Sequence, residues 1–302
     1  MTRCRSSRRD ESLQLEVTAE QKELSRVTKE EWREYTKTVW HIANVSDPDH
    51  PAVFPAEIPL RLIKLFSLHG ETVLDPFAGV GTTAQVALEL GRSAIAVEQN
   101  AAFAERISSD CGQMAIGSEG SLQVIHGDAR DLGELASDSV GLAITSPPYW
   151  NKADYGDGAA NLGAIPSYRD FIEALEPAFS ECFRVLAPGR KLCVVTANVN
   201  QHTDHGLLTF PLAADLTILL RDIGFVLINE LIWSKDGTGG RWGSWGEQRP
   251  IFGSYPYPPN FLFKNVHEYI VIVAKPRRLR TKAKTALPYA ELMGLDDPIP
   301  AT

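Results

Sequence analysis

DPFAGVGTTA, residues 75–84, joins a short apolar strand pattern to a helical pattern through a glycine-rich turn. Gly79, Gly81 and Ala84 fit the G-x-G-x-x-G/A spacing of a strand-to-helix turn whose backbone can approach a nucleotide closely. A tight turn without any ligand fits the same spacing. Asp75 narrows the choice of ligand, because a carboxylate there would repel a pyrophosphate and attract an ammonium group. The stretch therefore predicts an α/β sheet with a cofactor crevice at this turn.

Strand and helix patterns alternate from this stretch onward. The strand patterns cover seven segments: 72–77, 93–99, 122–128, 140–145, 191–197, 225–233 and 267–274. Alternation of this kind is typical of a parallel sheet with helices on both faces. We therefore predict an α/β fold with a seven-stranded, mostly parallel, Rossmann-like sheet. Two irregular segments, 151–166 and 236–262, are candidates for function, because long loops inside a domain are usually functional or disordered.

The composition is that of a globular protein that can bury a core, with 302 residues of which 44% are hydrophobic. The net charge of −8 argues against a uniformly basic surface, yet residues 264–284 carry seven Lys or Arg and a single acid, Glu268. Such a stripe can follow a phosphate backbone or be a solvated tail.

No apolar run reaches about 18 residues, so we predict no membrane partner. The four cysteines lack metal-binding spacing, which predicts no metal site and a reducing, cytoplasmic setting.

Two further acids end neighbouring strand patterns. Glu98 ends the second strand, where its carboxylate can accept hydrogen bonds from both hydroxyls of a ribose. Asp128 ends the third strand and can reach an adenine amine. Each acid alone is more often a solvated strand end, but strand ends in an open α/β sheet line the ligand crevice. Three acids beside a glycine turn, without a phosphate-binding lysine, predict S-adenosylmethionine as the cofactor.

DPFAGVGTT (75–83) together with TSPPY (145–149) resembles the bacterial and phage site-specific DNA amino-methyltransferases, which methylate the exocyclic amine of cytosine or adenine. HPAVFP (50–55) resembles their segment that closes over the methionine end of the cofactor. This likeness implies that Phe54 lies near that end. Phe77, within the glycine turn, is also predicted to bind the cofactor. IWSK (232–235) and VHEYIVIVAKP (266–276) resemble the last two strands of their sheet.

The resemblance covers residues 46–280 and implies a methyltransferase domain whose seven-stranded sheet has one antiparallel strand near its edge. Residues 1–45, which are polar and alternate in charge, are predicted to be a helical N-terminal extension, and residues 281–302 a C-terminal tail. The implied partner is double-stranded DNA. A cognate restriction endonuclease and the oligomeric state stay open at this point.

TSPPYW (145–150) places two rigid prolines between a small hydroxyl and two aromatic rings. Ser146 Oγ and the Pro147 carbonyl can each accept one N–H of an amine, and Pro148 adds no competing backbone donor. Tyr149 offers a face on which a flipped-out base can stack. We predict that these four residues are the catalytic set. The Ser form of the motif implies the N4 amine of cytosine, with the N6 amine of adenine as the alternative. No Pro-Cys pair occurs, which excludes cysteine-dependent methylation of a ring carbon.

Contacts to DNA are predicted for residues in or beside the second irregular segment and the proline motif. They are Trp150, Lys235, Arg241, Trp245 and Arg249. Arginine can read base edges bidentately, and aromatic rings can stack or wedge between bases. The alternative for the loop is a glycine-rich segment packed by its own rings, and the alternative for Trp150 is core packing.

Three other functions stay open. The first is a methyltransferase acting on RNA or on a protein glutamine, since related N-P-P-Y motifs serve such substrates. The second is an NAD-dependent oxidoreductase, which Asp75 disfavours. The third is a catalytically inactive DNA-binding protein of the same fold, which the intact glycine turn and SPPY motif disfavour.

Overall fold

The computed structural model describes residues 17–47, 53–151, 161–235, 256–259, 262–263 and 265–277. Its helices are α1 Ala19–Leu24, α2 Lys29–Tyr35, α3 Glu57–Phe66, α4 Thr82–Glu89, α5 Ala101–Gly117, α6 Tyr168–Val185 and α7 Leu212–Ile223. Its strands are β1 Val39–His41, β2 Thr72–Asp75, β3 Ser93–Glu98, β4 Leu122–His126, β5 Val140–Thr145, β6 Leu186–Thr196, β7 Val199–Thr203, β8 Gly206–Phe210, β9 Val226–Ser234 and β10 His267–Ala274.

Eight of these strands form one sheet in the order β1-β9-β10-β6-β5-β2-β3-β4. β10 runs antiparallel to both of its neighbours, and the other pairings within this sheet are parallel. The predicted mostly parallel α/β class is therefore confirmed. The parallel strands end at a common edge, which we call the carboxyl edge, and the antiparallel β10 begins there. Ligand sites of open α/β sheets lie at this edge.

The sheet has one strand more than predicted, because β1 pairs with β9 through Val39↔Ile232 and Trp40↔Trp233. Trp40 is 1% exposed and donates its indole N–H to the carbonyl of Tyr35. The predicted boundary at residue 45 is therefore misplaced: the polar segment does contain helices, but it also supplies an edge strand. A three-residue strand with one buried side chain is too short to produce a hydrophobic period.

A hairpin of β7 and β8 was also not predicted from the sequence. It follows β6 at the carboxyl edge and pairs Val199 with Phe210 and Thr203 with Gly206. Gly206 has a φ of +98°, which a glycine adopts without a steric penalty. The segment is mostly polar and half exposed, so it lacks the apolar run used to recognise the core strands.

Two hydrophobic clusters pack on opposite faces of the sheet. One includes Ile58, Leu62 and Ile107 from the helices α3 and α5. The other includes Phe171 and Leu216 from α6 and α7. β5 lies between the two clusters and is buried along its whole length. Its carboxyl end is therefore held from both faces, which gives the residues that follow it a rigid base.

Candidate active site

The glycine turn joins β2 to α4 at the carboxyl edge. Gly79 and Gly81 have φ angles of +55° and +86°, in the left-handed region that favours glycine. The Ala78 N–H donates to the carbonyl of Val97, which fixes the turn against β3. A Cβ atom at Gly81 would lie 3.0 Å from Cγ1 of Ile107. The left-handed backbone at Gly81 therefore favours glycine, and a Cβ there would need its neighbours to shift by a few tenths of an ångström.

Glu98 lies beside this turn, at the end of β3. Its Oε2 accepts from the Gly79 N–H at 2.8 Å, and its Oε1 accepts from the Asn100 N–H at 2.8 Å. Burial raises the pKa of the Glu98 carboxyl above its usual value, and these backbone hydrogen bonds partly oppose that effect. Each carboxylate oxygen can accept a second hydrogen bond. The geometry is compatible with the predicted contact to ribose hydroxyls, which stays a prediction.

Asp128 lies beyond the end of β4, and its carboxylate is paired with Arg130. Oδ1 accepts from both the backbone and the side chain of Arg130 at 2.9 Å. This hydrogen bonding lowers the pKa of the Asp128 carboxyl. The carboxylate is thus ionised and oriented, and the predicted contact to an adenine amine, still a prediction, would have to share it with Arg130.

Asp75 differs from its sequence prediction as a contact to an ammonium group. Its side chain is enclosed, with a residue exposure of 2%, and its carboxylate accepts three hydrogen bonds from the protein. The donors are Thr83 Oγ1 at 2.7 Å, Thr145 Oγ1 at 2.7 Å and the Phe77 N–H at 3.1 Å. The carboxylate therefore ties the turn to β5 and does not face open solvent. Burial raises the pKa of Asp75 to about 6, against the hydrogen bonds, and the nearby Glu98 adds to the rise.

Replacing Asp75 with asparagine should remove a pH-dependent cost to folding. The folded pKa of about 6 exceeds the ordinary value of 3.8, so the unfolded chain ionises first as the pH rises. Stability of the unaltered protein should fall between about pH 4 and pH 6 and stay lowered above that, by about 3 kcal/mol for this shift. Denaturant unfolding of both proteins from pH 4 to pH 7 measures the difference. A difference that does not change over this range would contradict the prediction.

The SPPY motif begins directly after β5. Pro147 is buried, whereas Ser146, Pro148 and Tyr149 are half-buried. Within the described residues the Ser146 hydroxyl has no hydrogen-bond partner. A half-exposed hydroxyl with both lone pairs available is suited to accept a hydrogen bond from a substrate.

Tyr149 is anchored through its hydroxyl. The phenol donates to Glu268 Oε2 at 2.9 Å, and Glu268 Oε1 pairs with the Lys235 ammonium. Glu268 is the second residue of β10, and Lys235 follows β9, so three parts of the carboxyl edge meet here. Holding the hydroxyl fixes the ring of Tyr149, which is the part that would stack on a base.

Two residues predicted to contact DNA, Trp150 and Lys235, are largely enclosed by the protein. Trp150 is 6% exposed, donates to the Ile165 carbonyl at 2.8 Å, and packs against the rings of Tyr168 and Phe210. Its ring is therefore part of the core and is not presented to DNA.

The Lys235 side chain is 12% exposed, lies over the Trp233 ring and pairs with Glu268, so its charge is already compensated inside the protein.

The remaining predicted residues fall into two groups. Phe54 packs against the cluster that contains Ala78 and Ala84, and Phe77 packs against the opposite cluster. Their predicted contact to a cofactor stays a prediction. The other group, Arg241, Trp245 and Arg249, lies outside the described residues.

Sequence reasoning assigned no role in the site to Thr83, Thr145 or Glu268, although all three stand within the quoted motifs. The two threonines could have been recognised because each places a hydroxyl group where an apolar residue would continue the pattern of a buried strand or helix. For Glu268 the signal is a lone acid in a basic stretch. Among the described residues, no helix is long and apolar enough to cross a membrane, and no cluster of metal-binding side chains occurs.

Comparison with known proteins gives a family match over most of the chain. A family model described as DNA methylase matches residues 6–109 and 140–294. The Type II methyltransferase M.MjaI of Methanocaldococcus jannaschii is 38% identical over 110 residues, which cover 34% of this chain and 36% of the relative. The Type II methyltransferase M.BglI of Bacillus subtilis is 44% identical over 77 residues, covering 25% and 22%. The alignments therefore span about a third or less of either relative.

Among solved structures, a putative DNA modification methylase from Thermus thermophilus, complexed with S-adenosyl-L-methionine, is 32% identical. The match covers 52% of this chain and 55% of that one, with a TM-score of 0.37.

Proposed function

The chain belongs to the DNA methylase family, and we propose that it transfers a methyl group from S-adenosylmethionine to the N4 amine of a flipped-out cytosine in double-stranded DNA. S-adenosylmethionine is the methyl donor of this family, so the cofactor predicted from the sequence follows from membership. The proposal concerns the DNA substrate, the cytosine amine and the residues that act on it. Methylation of the adenine N6 amine is the alternative.

The observation that carries the proposal is that the two motifs lie side by side. β2, which ends in the glycine turn, pairs with β5, which ends in SPPY, through Val73↔Leu142 and Leu74↔Ala143. A cofactor at the turn and a base at Ser146 would therefore meet at the carboxyl edge. Positioning two reactants in this way can supply several kcal/mol of the barrier reduction.

The residues of the turn fit the cofactor. Gly79 and Gly81 allow close backbone approach, and the oxygens of Glu98 retain capacity to accept from hydroxyl groups. Phe54, Phe77 and Asp128 complete the proposed binding set, with Asp75 acting from behind the turn. When bound, the cofactor supplies a methyl group carried on a positively charged sulfur.

The protein's own groups would act on the amine. Its lone pair is delocalised into the base, so the nitrogen must be drawn toward a tetrahedral shape before it can attack. Ser146 Oγ and the Pro147 carbonyl would each accept one N–H, and both hydrogen bonds should strengthen as the nitrogen pyramidalises. Pro147 and Pro148 keep that carbonyl rigid. Tyr149, fixed by Glu268, would stack on the base, and such stacking contributes about 1–3 kcal/mol.

Recognition of a DNA sequence is proposed for the segments 151–166 and 236–262. Arg241, Trp245 and Arg249 remain the proposed contacts within the second segment. The Type II class of the two relatives favours a cognate restriction endonuclease as a functional partner of this chain.

The experiment is incubation with labelled S-adenosylmethionine and mixed-sequence duplex DNA, followed by digestion to nucleosides and mass analysis. We expect N4-methylcytosine. N6-methyladenine would establish the alternative, and a methylated ring carbon would refute the amine mechanism. A parallel reaction with RNA of the same sequences serves as the comparison, and methylated nucleosides from the RNA alone would identify an RNA methyltransferase. Cofactor and DNA binding without any product would indicate an inactive DNA-binding protein.

A further inference from the structure

We propose that Asp75 is a positioning residue that couples the cofactor turn to the catalytic motif. It does so through the hydrogen bonds that it accepts from Thr83 and Thr145. This inference rests on the proposed function, because it assigns the geometry of that reaction to a buried group behind the site. It adds Thr83 and Thr145 to the site, and it gives Asp75 a role in which none of the three side chains touches the cofactor or the base.

The three hydrogen bonds of Asp75 come from three different parts of the site. Thr83 lies in the first turn of α4, directly after the glycine turn, and Phe77 lies within the turn. Thr145 is the last residue of β5 and is followed at once by Ser146. One carboxylate therefore holds both the loop that would carry the cofactor and the residue next to the amine acceptor.

Burial makes this arrangement unlike an ordinary strand-end contact. Thr83 and Thr145 are 1% and 0% exposed, and Asp75 is 2% exposed. A buried carboxylate is costly unless its hydrogen bonds are satisfied, and valine could fill either threonine site with the same shape. A structure that needed only packing would therefore be served by apolar residues at all three positions. The hydroxyl–carboxylate–hydroxyl link adds direction: it fixes the side-chain rotamers of both threonines and the separation of β5 from the turn.

The consequence for the reaction is geometric. Small displacements at a reacting centre have large effects on rate, because the attacking nitrogen and the methyl group must be close and aligned. Ser146 follows Thr145 by one peptide bond, so loosening Thr145 should shift the amine acceptor. Loosening Thr83 should shift the start of α4 and hence the cofactor.

The test separates these two effects with isosteric variants. Thr145→Val should lower the single-turnover methyl-transfer rate by about 10- to 100-fold, with cofactor affinity changed less than about 3-fold. Thr83→Val should weaken cofactor binding in calorimetry by about 10-fold, in line with the loss of one hydrogen bond to a charged group. Thr145→Ser and Thr83→Ser keep the hydroxyl and should restore the respective quantity. The double valine variant should be compared with the single variants in rate and in affinity separately. In each quantity its loss should be smaller than the product of the two single-variant losses, because both threonines act through Asp75.

Two outcomes would overturn the coupling role. The first is wild-type rate and affinity in both valine variants. The second is an equal loss of rate and affinity in each variant without rescue by serine, which is the behaviour of a general packing defect. Thermal unfolding of every variant identifies that defect directly. If the wild-type protein binds the cofactor but methylates no nucleic acid, the proposed function fails. The calorimetric comparison of Thr83→Val with Thr83→Ser then still tests whether the Thr83–Asp75 hydrogen bond positions the cofactor turn.

Discussion

Gly81→Val should reduce the affinity for S-adenosylmethionine by more than about 100-fold, because a β-branched residue here should distort the turn whose backbone the cofactor approaches closely. The φ of +86° disfavours any β-branched residue, and the new Cβ would press on Ile107 of α5. Where the turn or the start of α4 moves to relieve the backbone strain and this contact, the Gly79 N–H that Glu98 holds is displaced. Isothermal calorimetry measures the change.

Gly70→Val is the matched control for this prediction. Gly70 has a φ of +78°, close to that of Gly81, but a Cβ there meets no atom within 4 Å. It precedes β2 at the opposite edge of the sheet. Both variants should lose similar stability from backbone strain, about 1–2 kcal/mol. Only Gly81→Val should lose the cofactor, and unchanged affinity in that variant would remove the turn from the binding site.

The core of the fold could be predicted from the sequence because most of its strands lie between two apolar layers. β5 and β10 have the predicted limits, 140–145 and 267–274. β6 begins at Leu186, five residues before the predicted start, since Pro188, Gly189 and Arg190 break the apolar run. β1 was missed because its pairing with β9 is decided by residues far apart in the chain: Trp233 donates to the Ile42 carbonyl, 191 positions away, at the same contact.

In the candidate site too, the features that depend on neighbouring residues could be predicted from the sequence, and those that depend on contacts between distant residues could not. The glycine turn and the SPPY motif are local patterns with their own chemistry, and both stand at the carboxyl edge. Their supports are distant in sequence: Asp75 reaches Thr145 across 70 residues, and Tyr149 reaches Glu268 across 119. The enclosure of Trp150 and Lys235 could not be predicted from neighbouring residues for the same reason. Polar or aromatic residues next to a functional motif suggest surface contacts, yet here the partners that enclose them come from other segments.

Ser146→Ala should lower the single-turnover rate of methyl transfer by about 10²–10³-fold, as expected when one acceptor or donor aimed at a developing charge is removed. The Ser146 hydroxyl has no partner among the described residues, so its removal leaves no buried protein group unsatisfied. The fold and the cofactor site should therefore be unaffected. Because the hydrogen bond from the amine strengthens only as the nitrogen becomes tetrahedral, affinity for DNA should change little.

Two comparison variants make the Ser146 prediction specific. Ser139 precedes β5 at its other end and donates to the Ala136 carbonyl, so Ser139→Ala changes the same type of residue away from the carboxyl edge and should keep the wild-type rate. Tyr149→Ala removes the stacking ring and the bond to Glu268, so its loss should appear chiefly in DNA affinity, by about 1–3 kcal/mol. A Ser146→Ala enzyme that weakens DNA binding but turns over normally once saturated would show that the hydroxyl binds the ground-state base. A normal rate and normal affinity in both Ser146→Ala and Tyr149→Ala would mean that SPPY is only a rigid turn after β5.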